Sequence, residues 1–159
     1  MVRKYLFPIL IMGFIVFMSV SCSFAESMVN LGQVSGYSDI GYDKNNIYVV
    51  SSSPEVVIMV NVISIPASLT LNSFCRENNI SKRNGKFISE IIMFNVTTGE
   101  YGIIKKELYD NKIRKLWSWE LSNLQRIKWV NYNMKHRYFL VVDDIVQNSN
   151  SRGIVFKNL

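Results

Sequence analysis

Histidine is nearly missing from this 159-residue chain: His136 is the only one. Acid–base chemistry or metal binding centred on imidazole would rest on it alone. It stands between Lys135 and Arg137, the setting of an ordinary surface histidine. Cysteine is almost as scarce, with Cys22 and Cys75 far apart and no Cys-x-x-Cys. The sequence has no glycine-rich phosphate loop and no Gly-x-Ser-x-Gly elbow. Asp143 and Asp144 suggest a carboxylate pair, but adjacent residues on a helix point about 100° apart and cannot share one substrate. They mark a solvent face instead. The residues therefore point away from an enzyme, and to neither a cofactor nor a metal.

A long apolar run is also lacking. Residues 5–20 are largely apolar but contain Pro8, and a lasting membrane helix needs about 20 residues. Arg3 and Lys4 precede this stretch and Ser23-Phe24-Ala25 follows it. Cations, an apolar centre and small residues at the exit make a secretory signal peptide, residues 1–25, cut after Ala25. The rivals are lipidation at Cys22, although Ser19 holds the position where leucine is usual, and a short uncleaved anchor. Membrane association is expected only through these N-terminal devices. The remaining chain suffices for one domain burying roughly two-thirds of its unfolded surface. Cleavage removes Cys22 and leaves Cys75, so no internal disulfide can form and the core must hold the fold. Cys75 is either a buried small hydrophobe, the preferred reading, or a thiol able to link chains.

Charge is unbalanced. The full chain carries +6, of which Arg3 and Lys4 leave with the signal. Residues 101–137 hold nine Lys or Arg against Glu107, Asp110 and Glu120. The simpler reading is a solvated sheet face that maintains solubility. The functional one is a patch for host polyanions, lipopolysaccharide or anionic lipid. Export argues against nucleic acid as a partner.

What is present is mostly β pattern. Residues 29–34 read as a short strand, and 32–41 as a loose stretch broken by Gly32, Gly36 and Gly41. Asp43, Asn45 and Asn46 supply turn chemistry over 42–46, ahead of a strand at 47–50. Residues 55–65 form the next, ended by Pro66. Val56, Ile58, Val60 and Val62 line one face of it, Val57, Met59 and Ile63 the other, as in a central strand covered on both sides. Residues 67–86 read as a long loop with at most a helical turn near 71–75.

A strand at 87–98 turns at Thr98-Gly99-Glu100 into a partner at 101–109. Lys105 and Glu107 are expected on the face of Tyr101, Ile103 and Tyr109. After the turn Asp110-Asn111-Lys112, the next strand puts Ile113, Lys115, Trp117 and Trp119 on one side. Residues 120–125 connect to a strand at 126–130. Then Tyr138, Val141, Val142, Ile145 and Val146 fall at i, i+3, i+4, i+7 and i+8, one helical stripe. Asn133 is the expected N-cap, with Asn148 and Ser149 closing the helix. Residues 149–159 form a polar tail in which 154–156 could add an edge strand.

The expectation is an α+β domain over 26–148: an antiparallel sheet of about five or six strands with a C-terminal helix packed on one face. Trp129 with Tyr138, Val141, Val142, Ile145 and Val146 would seat the helix, leaving the other face to loop, partner or membrane. The simpler role of the tryptophans is core filling. If Trp117 and Trp119 stand on the open face among Lys105, Lys115 and Lys128, they make an aromatic–basic surface suited to protein or glycan.

The order of these features is similar to the surface-adhesin protein E family of small exported bacterial proteins. The features are the Tyr42–Ile47 turn and strand, the apolar strand near 56–63, the pair 88–96 and 101–109, the hairpin at Asp110, and Trp129-Val130-Asn131 feeding a terminal amphipathic helix. The resemblance covers roughly residues 29–147. It implies a periplasmic or cell-surface protein that binds host matrix or plasma proteins rather than turning anything over. The alternative is a structural or accessory subunit of a cell-envelope assembly. Family members typically tie the last helix to a middle strand by a disulfide. Here 94–96 and 142–144 lack cysteine, so apolar contact alone must stand in for about 2–4 kcal/mol, at roughly 1.5–3 kcal/mol per large buried side chain.

Overall fold

Period-2 apolar patterning, punctuated by Gly36, Pro66, Gly99 and the turn at Asp110, folds the chain back and forth into one sheet. The computed structural model describes residues 27–158 apart from Lys82, Arg83 and Lys135. The expected signal peptide with its expected cut after Ala25, and Cys22, lie outside the described residues. The strands β1 (Met28–Val34), β2 (Tyr37–Ser51), β3 (Val57–Pro66), β4 (Phe87–Asn95), β5 (Glu100–Tyr109) and β6 (Lys115–Glu120) pair in chain order, each antiparallel to the next. Two short strands complete it. β7 (Val130–Asn131) pairs with the start of β5, and β8 (Phe156–Asn158) runs parallel to β2 at Ile47–Val49. With the helices α1 (Ser68–Glu77) and α2 (Arg137–Arg152), this is the expected α+β architecture.

β3 is the buried centre, all six residues from Val57 to Val62 being buried. On one face of the sheet, Ile40, Tyr42, Ile47, Ile58, Val60, Val62, Ile92 and Phe94 meet Tyr138, Val141, Val142 and Ile145 of α2. Two expected seating residues are absent from this contact. Val146 is 53% exposed, because it lies about 80° round the helix from Tyr138 and falls off the flank of the stripe. Trp129 is 37% exposed, since it precedes β7 on the sheet edge rather than lying under the helix.

The helix begins at a cap one turn later than expected. His136, not Asn133, is the N-cap, its Nδ1 accepting from the Tyr138 N–H at 3.3 Å, while the Asn133 carbonyl accepts from the His136 N–H at 2.8 Å. At the other end the helix passes Asn148 and Ser149 and stops at Gly153. This residue is left-handed at φ 62°, and Gly153 and Ile154 N–H groups bond back to the Asn150 and Ser149 carbonyls. That bond pair is the Schellman closure.

Three stretches read as irregular are regular. The loose stretch 32–41 is the end of β1, a turn at Ser35-Gly36 and the start of β2. Residues 42–46 are a bulge within β2 and not a turn: Tyr42 pairs with Val62 and Ile47 with Val60. The Asp43 carboxylate folds it, accepting from the Asn45 N–H at 3.0 Å and Asn46 Nδ2 at 2.6 Å. The supposed loop 67–86 contains α1, whose Leu71, Phe74 and Cys75 pack on Ile88 and Leu108. Its end is marked by Asn79 at φ 54°, with Ile80 N–H bonding back to the Cys75 carbonyl at 2.8 Å. Cys75 is 3% exposed, as the burial reading expects.

Both helices cover the same face. The other face carries Tyr48, Met59, Ile91 and Ile104, over which Leu124 and Ile127 fold down from residues 121–129. Instead of the strand expected at 126–130, that segment makes a single 3-10 turn (Leu124–Arg126) and pairs only at Val130–Asn131.

Candidate functional site

Two one-residue bulges decide where the charged and aromatic side chains go. Between β4 and β5 the pairing passes from Ile92–Ile103 to Ile91–Lys105, leaving Ile104 extra. Between β5 and β6 it passes from Leu108–Trp117 to Tyr109–Lys115, leaving Leu116 extra. A bulge of one residue inverts the facing of everything beyond it. Lys105, Glu107 and Tyr109 therefore lie opposite to Tyr101 and Ile103, and Lys115 lies opposite to Trp117 and Trp119. The five-residue surface expected from sequence is split between the two faces.

Lys105 and Lys115 belong to the loop-covered face, and both are paired there. Both ammonium groups sit 3.1 Å from Glu107 Oε1, while the Tyr109 hydroxyl donates to Oε2 at 2.8 Å. Lys105 is only 6% exposed. Burial pushes the Glu107 carboxyl up, but hydrogen bonds from Tyr109, Lys115 and Lys105 outweigh it and hold the group below the ordinary carboxylate range. One carboxylate thus holds both cations, and the network keeps a net positive charge on the loop-covered face.

Trp117, Trp119 and Lys128 meet on the helix-covered face, around a groove of about 510 Å³ between the end of α1 and β6. Trp117 is half-buried and packs edge-to-face on Phe74, ring centroids 5.3 Å apart. Trp119 is 42% exposed. Lys106, Arg126 and Lys128 line the groove, and Glu77 is its one acid among the described residues. Arg126 and Lys128 are exposed, and neither enters an ion pair among the described residues. A smaller hollow of about 380 Å³ beside the β1–β2 hairpin has no charged side chain in its wall.

Lys106 links the groove to a buried cluster. Its ammonium lies 3.2 Å from Glu90 Oε1, an oxygen that receives no aligned hydrogen bond and is held by that charge. Glu90 Oε2 accepts from Arg137 at 2.6 Å and from the Tyr138 hydroxyl at 2.8 Å. Arg137 also donates to Ser64 Oγ at 2.9 Å and stacks over the Tyr37 ring at 4.2 Å. Burial opposes charge on Arg137, yet Glu90 and the phenols of Tyr138 and Tyr37 outweigh it and raise its pKa. Burial and Glu90 push the Tyr138 phenol far up. Glu90 and Tyr138 are each 1% exposed, which suits a clamp between α2 and the sheet.

His136 is half-buried, stacked on Tyr101 with ring centroids 5.1 Å apart, rather than free on the surface. Burial, then Arg137, pulls its pKa below the ordinary value of 6.5 against the contrary pull of Glu90. Asp143 is exposed, but Asp144 is buried and accepts from the Tyr42 hydroxyl at 2.8 Å, Asn148 at 2.8 Å and Arg152 at 3.0 Å. The solvent-face reading holds for the first aspartate only. Among the described residues no three His, Cys, Asp or Glu gather as a metal site, and no helix is long and apolar enough to cross a membrane.

Sequence reasoning passed over Phe74, Glu90, Lys106, Arg126 and Arg137. Glu90 alone left a signal: a carboxylate inside the apolar run 87–96 has to be buried with a partner. Comparison with protein-family models, with curated proteins and with solved structures finds no match to this chain.

Proposed function

We propose that this chain is an exported, non-catalytic binding domain of surface-adhesin type, which holds a protein partner at the groove beside β6. The observation that carries the reading is the pairing of Trp117 and Trp119 with two cations, Arg126 and Lys128, that form no ion pair with an acid among the described residues. Tryptophan and arginine dominate the energetics of protein interfaces because their large surfaces desolvate at small entropic cost. Catalysis would ask for a reachable base or nucleophile held by an orienting partner. Among the described residues Glu77 is the only acid lining the groove, and no hydrogen bond or ion pair among them orients it. The partner class follows from the family resemblance: host matrix or plasma protein, with no cofactor and no nucleic acid.

The test is capture of the purified mature chain on immobilised matrix and plasma proteins. Saturable binding is expected, weakened about tenfold by Trp119→Ala. No saturable binding across the panel, with a cell-envelope protein copurifying in stoichiometric amount, would select the accessory-subunit reading instead. Mass spectrometry of the mature N-terminus reads export separately, since cleavage after Ala25 and a diacylated Cys22 differ in mass.

A further inference from the structure

We infer that the occupant of this groove is an extended, acidic segment of a protein chain, laid along the outer edge of β6 as an added strand. The inference rests on the binding-domain reading of the same groove and names the chemistry of what enters it.

Three observations converge. β6 pairs with β5 and ends the main order of the sheet, so its far edge meets no strand among the described residues. Unpaired backbone N–H and C=O groups along such an edge are a template for another strand. Folded proteins guard these edges with charges, bulges and short strands. Here the guards stand at the ends, Lys115 with the Leu116 bulge at one and Glu120 at the other, leaving Trp117-Ser118-Trp119 uncharged between them. The second observation is facing. Trp117 and Trp119 line the groove while Ser118 lies on the side of Glu107. An added strand sends alternate side chains to opposite faces, so every second residue of the incoming segment would stand beside the tryptophans, which form the groove wall between that edge and the groove floor on β5.

Charge completes the argument. The groove wall offers Lys106, Arg126 and Lys128 against Glu77. The full chain is +6 and stays positive after loss of Arg3 and Lys4, so a second copy meets repulsion where an acidic segment meets attraction. A polyanionic glycan or a lipid headgroup would satisfy the cations but would leave the strand edge unused. The edge and the alternation favour a polypeptide.

Selection of a random twelve-residue peptide library on the purified mature protein tests this. Enriched sequences are expected to carry Asp or Glu alternating with aromatic or aliphatic residues. A selected peptide should lose about tenfold or more in affinity against R126E/K128E. N-methylation of every second amide should weaken it about as much in one register and little in the other, because only one set of amides faces β6. The variant's thermal midpoint should match that of the native chain, since both cations are exposed. Failure to enrich any peptide overturns the inference, as does enrichment without acids, indifference to R126E/K128E, or equal tolerance of both N-methylated registers. Heparin oligosaccharides or phosphatidylglycerol vesicles binding as tightly as the best peptide, with loss in the same variant, would also overturn it. The two proposals fail distinguishably. Host-protein capture that R126E/K128E leaves intact moves the partner off the groove and sinks the groove peptide while the host-binding reading stands, whereas selected peptides with an empty host-protein panel sink the host-protein assignment alone.

Discussion

His136 caps α2 through the lone pair on Nδ1, so the cap exists only while the imidazole is neutral. Burial and Arg137 depress its pKa in the folded chain below the ordinary 6.5. Between those two values the unfolded chain binds more protons than the folded one, and stability therefore rises with pH across that interval. The contribution is complete above about pH 6.5 and is lost as pH falls through the folded value. Its size should be that of a helix cap, about 1 kcal/mol. Urea midpoints measured from pH 7.5 down to 5 should fall for the native chain and stay flatter for His136→Asn, whose amide oxygen caps without titrating. Equal slopes in the two proteins would show that the cap plays no part. None of this was legible from the flanking Lys135 and Arg137, which suggested open water. A sequence does not say that Arg137 turns inward, and it does so because Glu90 waits on β4, 47 residues away.

At the scale of elements, α2 is held by a narrow stripe and a charge clamp, and the two are separable by mutation. Ile145→Ala removes a side chain that is 1% exposed and should cost about 2–5 kcal/mol. Val146→Ala, one residue on, should stay within about 0.5 kcal/mol. Comparable losses at both positions, read by urea unfolding, would mean a broader helix–sheet contact. Arg137→Met leaves Glu90 with Lys106 as its one cation beside the Tyr138 hydroxyl and should cost about 3–5 kcal/mol, whereas Arg137→Met combined with Glu90→Met should recover much of that loss. The helix itself was readable because its 3.6-residue period stands out from the surrounding β alternation. α1 was not. Ser68, Thr70, Asn72 and Ser73 are weak helix formers, and their helix exists because Leu71, Phe74 and Cys75 find Ile88 and Leu108. The two bulges were hidden for a related reason. Ile103 and Ile104 are adjacent apolar residues, as are Leu116 and Trp117, and Lys105 and Lys106 are adjacent cations, so a one-residue slip leaves no break in the pattern.

For the molecule as a whole, the order of strands could be read locally from its turns, but the groove could not. Its walls come from α1, β5, β6 and residues 121–130, which only the folded sheet brings together. The consequence is a basic chain whose cations divide into two classes. Lys105 and Lys115 share Glu107 on the loop-covered face, while Arg126 and Lys128 stand on the groove rim with no ion pair among the described residues. Net charge treats these four alike; ligand binding should not. Lys115→Gln is expected to leave partner capture unchanged, because the charge it removes faces the opposite side of the sheet from Trp117 and Trp119. Lys128→Gln should lower capture several-fold and flatten its dependence on salt, since exposed charge pairs are screened over about 10 Å at 0.1 M ionic strength. Measuring both variants across a salt series separates a groove-centred interface from attraction to the overall positive charge. If the two lysines weaken capture equally, the bulges at Ile104 and Leu116 have no functional consequence, and the partner responds to net charge alone.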